Sequence, residues 1–229
     1  LPYLSFLCIN FDAPVIKEAA SWFLDGVFLN YNSSYLEQML EQLLDEDDSL
    51  EITRFLRAVD VRIDGFRVEK APEWRGQRVF VKHEVDGKGY ELRLSEESAG
   101  TQKLMGLASF LLAALERGGT VVVDELDAML HPKLLRYVIL LFKDPEVNKS
   151  GAQLIFSSQD VSTMRNDVFR RDEIWFAARG EGETSQLWSL ADIHEANGNL
   201  VSKNAAFDKQ YLSGRYGADP YLTRIEEWD

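Results

Sequence analysis

Cysteine is almost missing: Cys8 is the single one in 229 residues. An internal disulfide framework is thereby excluded, and the usage fits a reducing compartment. Cys8 lies in the apolar stretch LSFLCI, where a small buried hydrophobe is expected and not a reactive thiol. Histidine is scarce as well; His83, His131 and His194 are scattered without ligand spacing, so no zinc site is expected. No apolar run approaches the roughly 20 residues that span a bilayer, so no membrane segment is expected and the expected location is the cytoplasm. The first residues, LPYLSFLCI, have no basic segment or cleavage site and begin without Met, and they read as a cut end and not as a signal peptide. Basic residues are outnumbered, 25 against 38 acidic ones, for a net charge of −13. Nucleic-acid platforms need clustered Lys and Arg, so this balance does not support one, although a local basic groove stays open. The phosphate-cradling pattern GxxxxGK[ST] occurs nowhere in the chain.

What is present suffices for a core. With 45% hydrophobic residues, the chain reads as one large or two small domains. Residues 14–58 read as helical: Val15, Ala19, Trp22 and Phe23 share one face, and Leu36, Met39, Leu40, Leu43 and Leu44 another. The acidic run DEDD (residues 45–48) reads as a solvated loop between helices, followed by a helix over 51–59. From Val61 the apolar residues alternate, with Asp64-Gly65 and Asp86-Gly87 between the runs, which predicts an antiparallel meander. Residues 99–116 form the clearest helix, since Leu104, Leu107, Ala108, Leu111, Leu112 and Leu115 recur on one face and Gly118-Gly119 stops it. Residues 120–123 are apolar without alternation, as in a central strand covered on both faces. Another helix opens at His131-Pro132, and strands are expected over 152–156, 173–178 and 186–190. Strand, helix, strand of this composition predicts a parallel α/β sheet. The tail from Ala205 reads as a helix, the turn SGRYGADP with exposed Arg215 and Tyr216, and a last helix.

Three motifs stand in fixed order: LSEESAGTQKL (residues 94–104), TVVVDELDAMLHP (120–132) and AQLIFSSQD (152–160). In the first, Ser98 precedes a long helix, where a hydroxyl, free N–H groups and the dipole together favour an anion, and the small Ala99 and Gly100 allow close approach. The same serine could serve only as a helix cap. In the second, Asp124 and Glu125 end a strand at the sheet's carboxyl edge, the usual place for ligands. Neighbours on a strand point to opposite faces, so one acid could hold Mg²⁺ while the other faces water; two solvated acids would look the same. His131 is expected to cap or pack at its helix start. Arg170, Arg171 and Asp172 are expected to form a structural ion pair at a strand start.

Together the three motifs resemble the C-terminal lobe of ABC-type ATPase heads of the SMC, RecF and OLD-like families, and most of all the bacterial AAA-family ATP-binding proteins found in anti-phage defence. The resemblance extends into FLRAVDVRIDGFRVEK before the motifs and RRDEIWF and YLSGRYGADPYL after them. It implies an ABC-ATPase-like α/β fold, a mainly parallel sheet flanked by helices with an inserted helical and β-rich lobe. The implied division is 1–95 for that lobe and 96–229 for the C-terminal ATPase lobe, with the phosphate loop upstream of Leu1. By the same resemblance Ser98, Ala99, Gly100 and Thr101 are the ABC signature that contacts ATP held by a partner subunit. Asp124 would bind Mg²⁺ through water, Glu125 would orient the attacking water, and Asp127 would lie on the D-loop at the dimer interface or cap the following helix. Gln159 stands where most ABC heads carry a histidine that donates to the γ-phosphate. Glutamine can donate but cannot carry charge, which implies slow turnover or an ATP-dependent clamp. The implied assembly is a head-to-head dimer controlling an effector nuclease or toxin. A non-hydrolysing scaffold or sensor is one alternative. A DNA-repair head of the RecF or SMC kind is another, though no heptad pattern for coiled-coil arms appears before Leu94.

Overall fold

β5 (Thr120–Val123) is the middle strand of a parallel sheet, as its unbroken apolar sequence requires. In this computed structural model β1 (Val27–Asn30) flanks it on one side and β6 (Gln153–Phe156) on the other, with Val27, Thr120 and Gln153 in one row. The structure describes residues 7, 13–30, 46–59, 61–69, 78–179, 184–195 and 198–218. The helical reading of residues 14–58 therefore holds only in part. α1 (Pro14–Asp25) and α2 (Glu46–Ala58) are helices, but Val27–Asn30 between them is a strand. Four residues, VFLN, are too few to display a period, so strand and helix could not be separated there. These residues belong to the parallel sheet. Glu46, Asp47 and Asp48 open α2 instead of forming a loop, and acids are favoured in a first turn. Cys8, Asp45, the helical pattern over 36–44 and the final helix lie outside the described residues.

The antiparallel meander is present as β2 (Gly65–Glu69), β3 (Arg78–Val85) and β4 (Lys88–Arg93). Asp86 and Gly87 both take positive φ (51° and 73°), the backbone that a two-residue hairpin turn needs. Asp64-Gly65 makes no hairpin turn. Gly65 starts β2, and the Asp64 N–H donates to the Lys82 carbonyl at 2.7 Å. Val79 and Val81 point inward and are buried together with Ile52, Phe55, Leu56, Ile63 and Leu94. Outside, the Arg67 guanidinium sits 4.2 Å from the Phe80 ring centroid and donates to Glu91 at 2.7 Å, which holds the Glu91 carboxyl below its usual range.

α3 (Ala99–Arg117) buries Leu104, Leu107, Ala108, Leu111 and Leu115, while Leu112 is half-buried. Truncating one of the fully buried leucines costs about 2–5 kcal/mol. The helix ends at Gly118, whose φ is 75°. α4 (Pro132–Lys143) buries Leu135, Val138 and Ile139.

The chain divides into two compact units, Leu1–Gln159 and Asp160–Asp229. The motif boundary at residue 95 falls inside the first, where α2 packs on α3. The second unit holds β7 (Trp175–Arg179) and β8 (Ser185–Ser189) as an antiparallel pair in its own sheet, so these strands do not extend the parallel one. Arg170 pairs with Asp172 and Glu173, and Arg171 donates to the Val201 carbonyl, the structural role expected for this stretch. Its core gathers Ile174, Phe176, Leu190, Val201, Phe207 of α5 (Phe207–Leu212) and Tyr216. Tyr216 is therefore not exposed as the turn reading expected; it is 4% accessible and lies 5.3 Å from the Phe176 ring. Only Arg215 of that pair stays outside.

Burial raises the Tyr216 phenol to about 12, and its hydroxyl donates to Gln210 Oε1 at 2.7 Å. A raised phenol pKa means that the folded protein keeps a proton the unfolded chain loses. Its contribution is complete below about pH 10, the ordinary tyrosine value, and disappears as pH approaches 12. Tyr216→Phe should cost about 1 kcal/mol below pH 10 and cost less as the pH rises. Urea unfolding of both proteins across that range checks it; a constant difference between them would mean that Tyr216 does not titrate as described.

Candidate functional site

Parallel register brings the ends of β5 and β6 side by side. Val123 lies opposite Phe156, so the next residues across are Asp124 and Ser157. The Ser157 hydroxyl donates to Asp124 Oδ1 and accepts from the Glu125 N–H at 2.7 Å. The Ser157 N–H donates to the Val123 carbonyl at 3.1 Å, and its own carbonyl accepts from the Leu126 N–H at 3.0 Å. One serine thus fixes four consecutive residues, Val123 to Leu126, at the sheet's carboxyl edge.

Asp124 and Glu125 do not alternate as strand neighbours. The strand stops at Val123, and Glu125 has φ 50°, in the left-handed region. That conformation costs a glutamate on the order of 1–2 kcal/mol. It persists because both adjoining peptides are held. The N–H goes to Ser157, and the Glu125 carbonyl accepts from Lys103 Nζ at 2.5 Å and from the Ala128 N–H at 3.0 Å. Both carboxylates are exposed.

At the start of α3 the Ser98 side chain accepts from the Thr101 N–H at 3.1 Å and shares a hydrogen bond with the Thr101 hydroxyl at 2.8 Å. It is an N-cap, and Ala99 beside it is exposed. Gly100 lies against the protein's own backbone: a Cβ there would come within 2.7 Å of the Met129 carbonyl oxygen. The close approach that this glycine permits is thus to the loop following Asp124-Glu125. Met129, on that loop, has φ 64° and is 72% accessible. Upstream, His83 Nε2 lies 2.6 Å from the Glu97 carboxylate and Nδ1 lies 3.0 Å from the Arg62 carbonyl, tying β3 to the residue before Ser98.

The Asp127 carboxylate accepts from the Gln159 N–H, both oxygens at 3.2 Å. Asp127 does not cap α4. His131 does, its ring Nδ1 accepting from the Lys133 N–H at 3.1 Å. The Gln159 residue itself is exposed. Asp124, Glu125, Asp127 and Gln159 therefore share one cluster of loops, and the Ser98–Thr101 turn is joined to it through Gly100.

Ser157 and Lys103 hold this cluster, and sequence reading gave neither a role. The signal for Ser157 was the register, because equal spacing from two parallel strands pairs Ser157 with Asp124. For Lys103 it was helical periodicity, which puts Lys103 on the face of Gly100 and Leu107. Burial pushes the Lys103 ammonium below its usual range against the pull of Asp127 and Glu125.

An exposed carboxylate with one oxygen fixed by a hydroxyl suits Mg²⁺ held through water at Asp124. For a nucleotide the fit is partial. Small residues and a capped helix start are present, but the chain has no GxxxxGK[ST] cradle for α- and β-phosphates. Among the described residues no helix is long and apolar enough to cross a membrane.

Residues 7–165 match a family described as "AAA domain, putative AbiEii toxin, Type IV TA system". No curated protein sequence matches the chain. Among solved structures, one described as "Structural biochemistry of ATP-driven dimerization and DNA stimulated activation of SMC ATPases" is similar with a TM-score of 0.44 and 16% identity, over 67% of this chain and 88% of that one. Another, "Crystal structure of the SmcHead bound to the C-winged helix domain of ScpA", gives a TM-score of 0.40 and 16% identity over 63% and 42%.

Proposed function

The chain belongs to this family of AAA domains, an ATPase type, and on that premise we propose that it is the C-terminal part of an ABC-like head that hydrolyses ATP between two copies of itself. The observation that carries the proposal is the clustering of Asp124, Glu125, Asp127 and Gln159 at the carboxyl edge of a parallel sheet, with the Ser98–Thr101 helix start joined to the same loops. Asp124 would hold Mg²⁺ through water, and the metal would neutralise charge on the phosphates. Glu125 would accept a hydrogen bond from the attacking water and orient it. Ser98, Ala99, Gly100 and Thr101 would meet the phosphates of ATP bound to the partner copy, and Asp127 would lie on the interface. The cradle for the α- and β-phosphates is proposed to lie upstream of Leu1. Nucleotide would favour the closed pair by binding it better than the open one, and an effector nuclease or toxin would respond. The family's description, with its toxin system, supports an antiviral setting.

Gln159 decides between turnover and clamping. In the polypeptide that carries its phosphate loop, Gln159→His adds a donor able to bear charge, which stabilises the transition state more than the ground state. A gain of about 1.4 kcal/mol raises kcat roughly tenfold, with ATP affinity little changed. Side-by-side turnover and affinity measurements check this. Absence of turnover in both proteins, with ATP still bound, would replace the hydrolase by a clamp. Turnover unaltered by the substitution would remove Gln159 from the nucleotide.

A further inference from the structure

Glu125 depends on a side chain from another element. Lys103 stands in the second turn of α3, and its Nζ donates to the Glu125 carbonyl at 2.5 Å. The peptide it grips belongs to the residue with φ 50°, and the preceding peptide is gripped by Ser157. Three bonds thus hold a conformation that a glutamate disfavours, and of the groups making them only Lys103 belongs to the helix that Ser98 caps.

We propose that Lys103 is a positioning residue: its ammonium pins the Glu125 carbonyl, so that the carboxylate is presented to water from a left-handed backbone. This deepens the hydrolase proposal and rests on it, since it gives Glu125 the water-orienting role. The same bond joins the helix start that would touch the partner's nucleotide to the carboxylate acting on the protein's own. A shift of Ser98–Thr101 on closure would move Lys103 and with it the Glu125 peptide. Methionine matches the stem of lysine but has no donor. Arginine keeps charge and donors on a wider head.

The experiment compares the parent, Lys103→Met and Lys103→Arg in the polypeptide carrying its phosphate loop. It reads kcat, KM for ATP, the melting temperature, and hydrogen exchange of the amides of residues 125–128. Lys103→Met should lower kcat by roughly tenfold to a hundredfold, the scale of a misplaced catalytic group, with KM and melting temperature little changed. Exchange at residues 125–128 should quicken, and Lys103→Arg should recover most of both losses. Unchanged exchange in Lys103→Met overturns the proposal, as does quickened exchange with kcat intact. A loss that arginine does not mend makes the role one of packing and overturns it too. A parent without ATP turnover sinks the hydrolase reading, and the positioning role falls with it; turnover in the parent with any of the other results leaves that reading standing.

Discussion

Glu125→Gln, in the polypeptide with its phosphate loop, should lower ATP turnover by roughly 10²–10⁴-fold, the range removed with a general base. Glutamine keeps the size and backbone demands of glutamate, so the bonds from Ser157 and Lys103 to this residue's main chain survive. In the proposed site Mg²⁺ contact would rest on Asp124, so nucleotide binding should persist and ATP-bound dimers should accumulate. Steady-state hydrolysis and size-exclusion chromatography with ATP read both effects. Parental turnover in the variant would take the water-orienting role away from Glu125.

Gly100→Ala should destabilise the protein, although alanine is the better helix former. The change in propensity favours alanine by about 0.5–1 kcal/mol. Against it, the new Cβ would lie 2.7 Å from the Met129 carbonyl oxygen, a main-chain atom that cannot rotate aside. Overpacking of this kind costs about 1–3 kcal/mol, so a net loss near 1 kcal/mol is expected. The displaced loop carries Glu125 and Asp127, so turnover should fall as well. Urea unfolding reads the first effect. Equal or greater stability in the variant would mean that the loop yields without strain, and Gly100 would then not fix it.

The long periodic elements were legible because their patterns run over many residues. α3 shows its face over three full turns, and Gly118 marks its end. β5 declares itself as a buried parallel strand by having no alternation at all. β1 did not, since its four residues carry no period and their partner strand lies 93 positions further on, Val27 beside Thr120. The pair Asp124-Glu125 was legible as chemistry but not as geometry. Its backbone departs from the strand through tertiary bonds from Ser157 and Lys103, and local sequence does not encode them. Tyr216 failed for a similar reason, because a turn bounded by glycines reads as exposed until the Phe176 ring beside it is known.

The in-phase ends of β5 and β6 determine where relatives of this protein can change length. Asp124 and Ser157 each stand one residue past the last paired position, and Asp127 and Gln159 stand four and three past it, so their bonds hold only while those counts are kept. An insertion between Val123 and Asp124, or between Phe156 and Ser157, would put both of these bonds out of step. The stretch from α4 to Gly151 lies outside this count and is held separately, by Asn148, which bonds the Phe142 carbonyl and both backbone groups of Ala152. Relatives should accordingly hold the two short spacings to the residue.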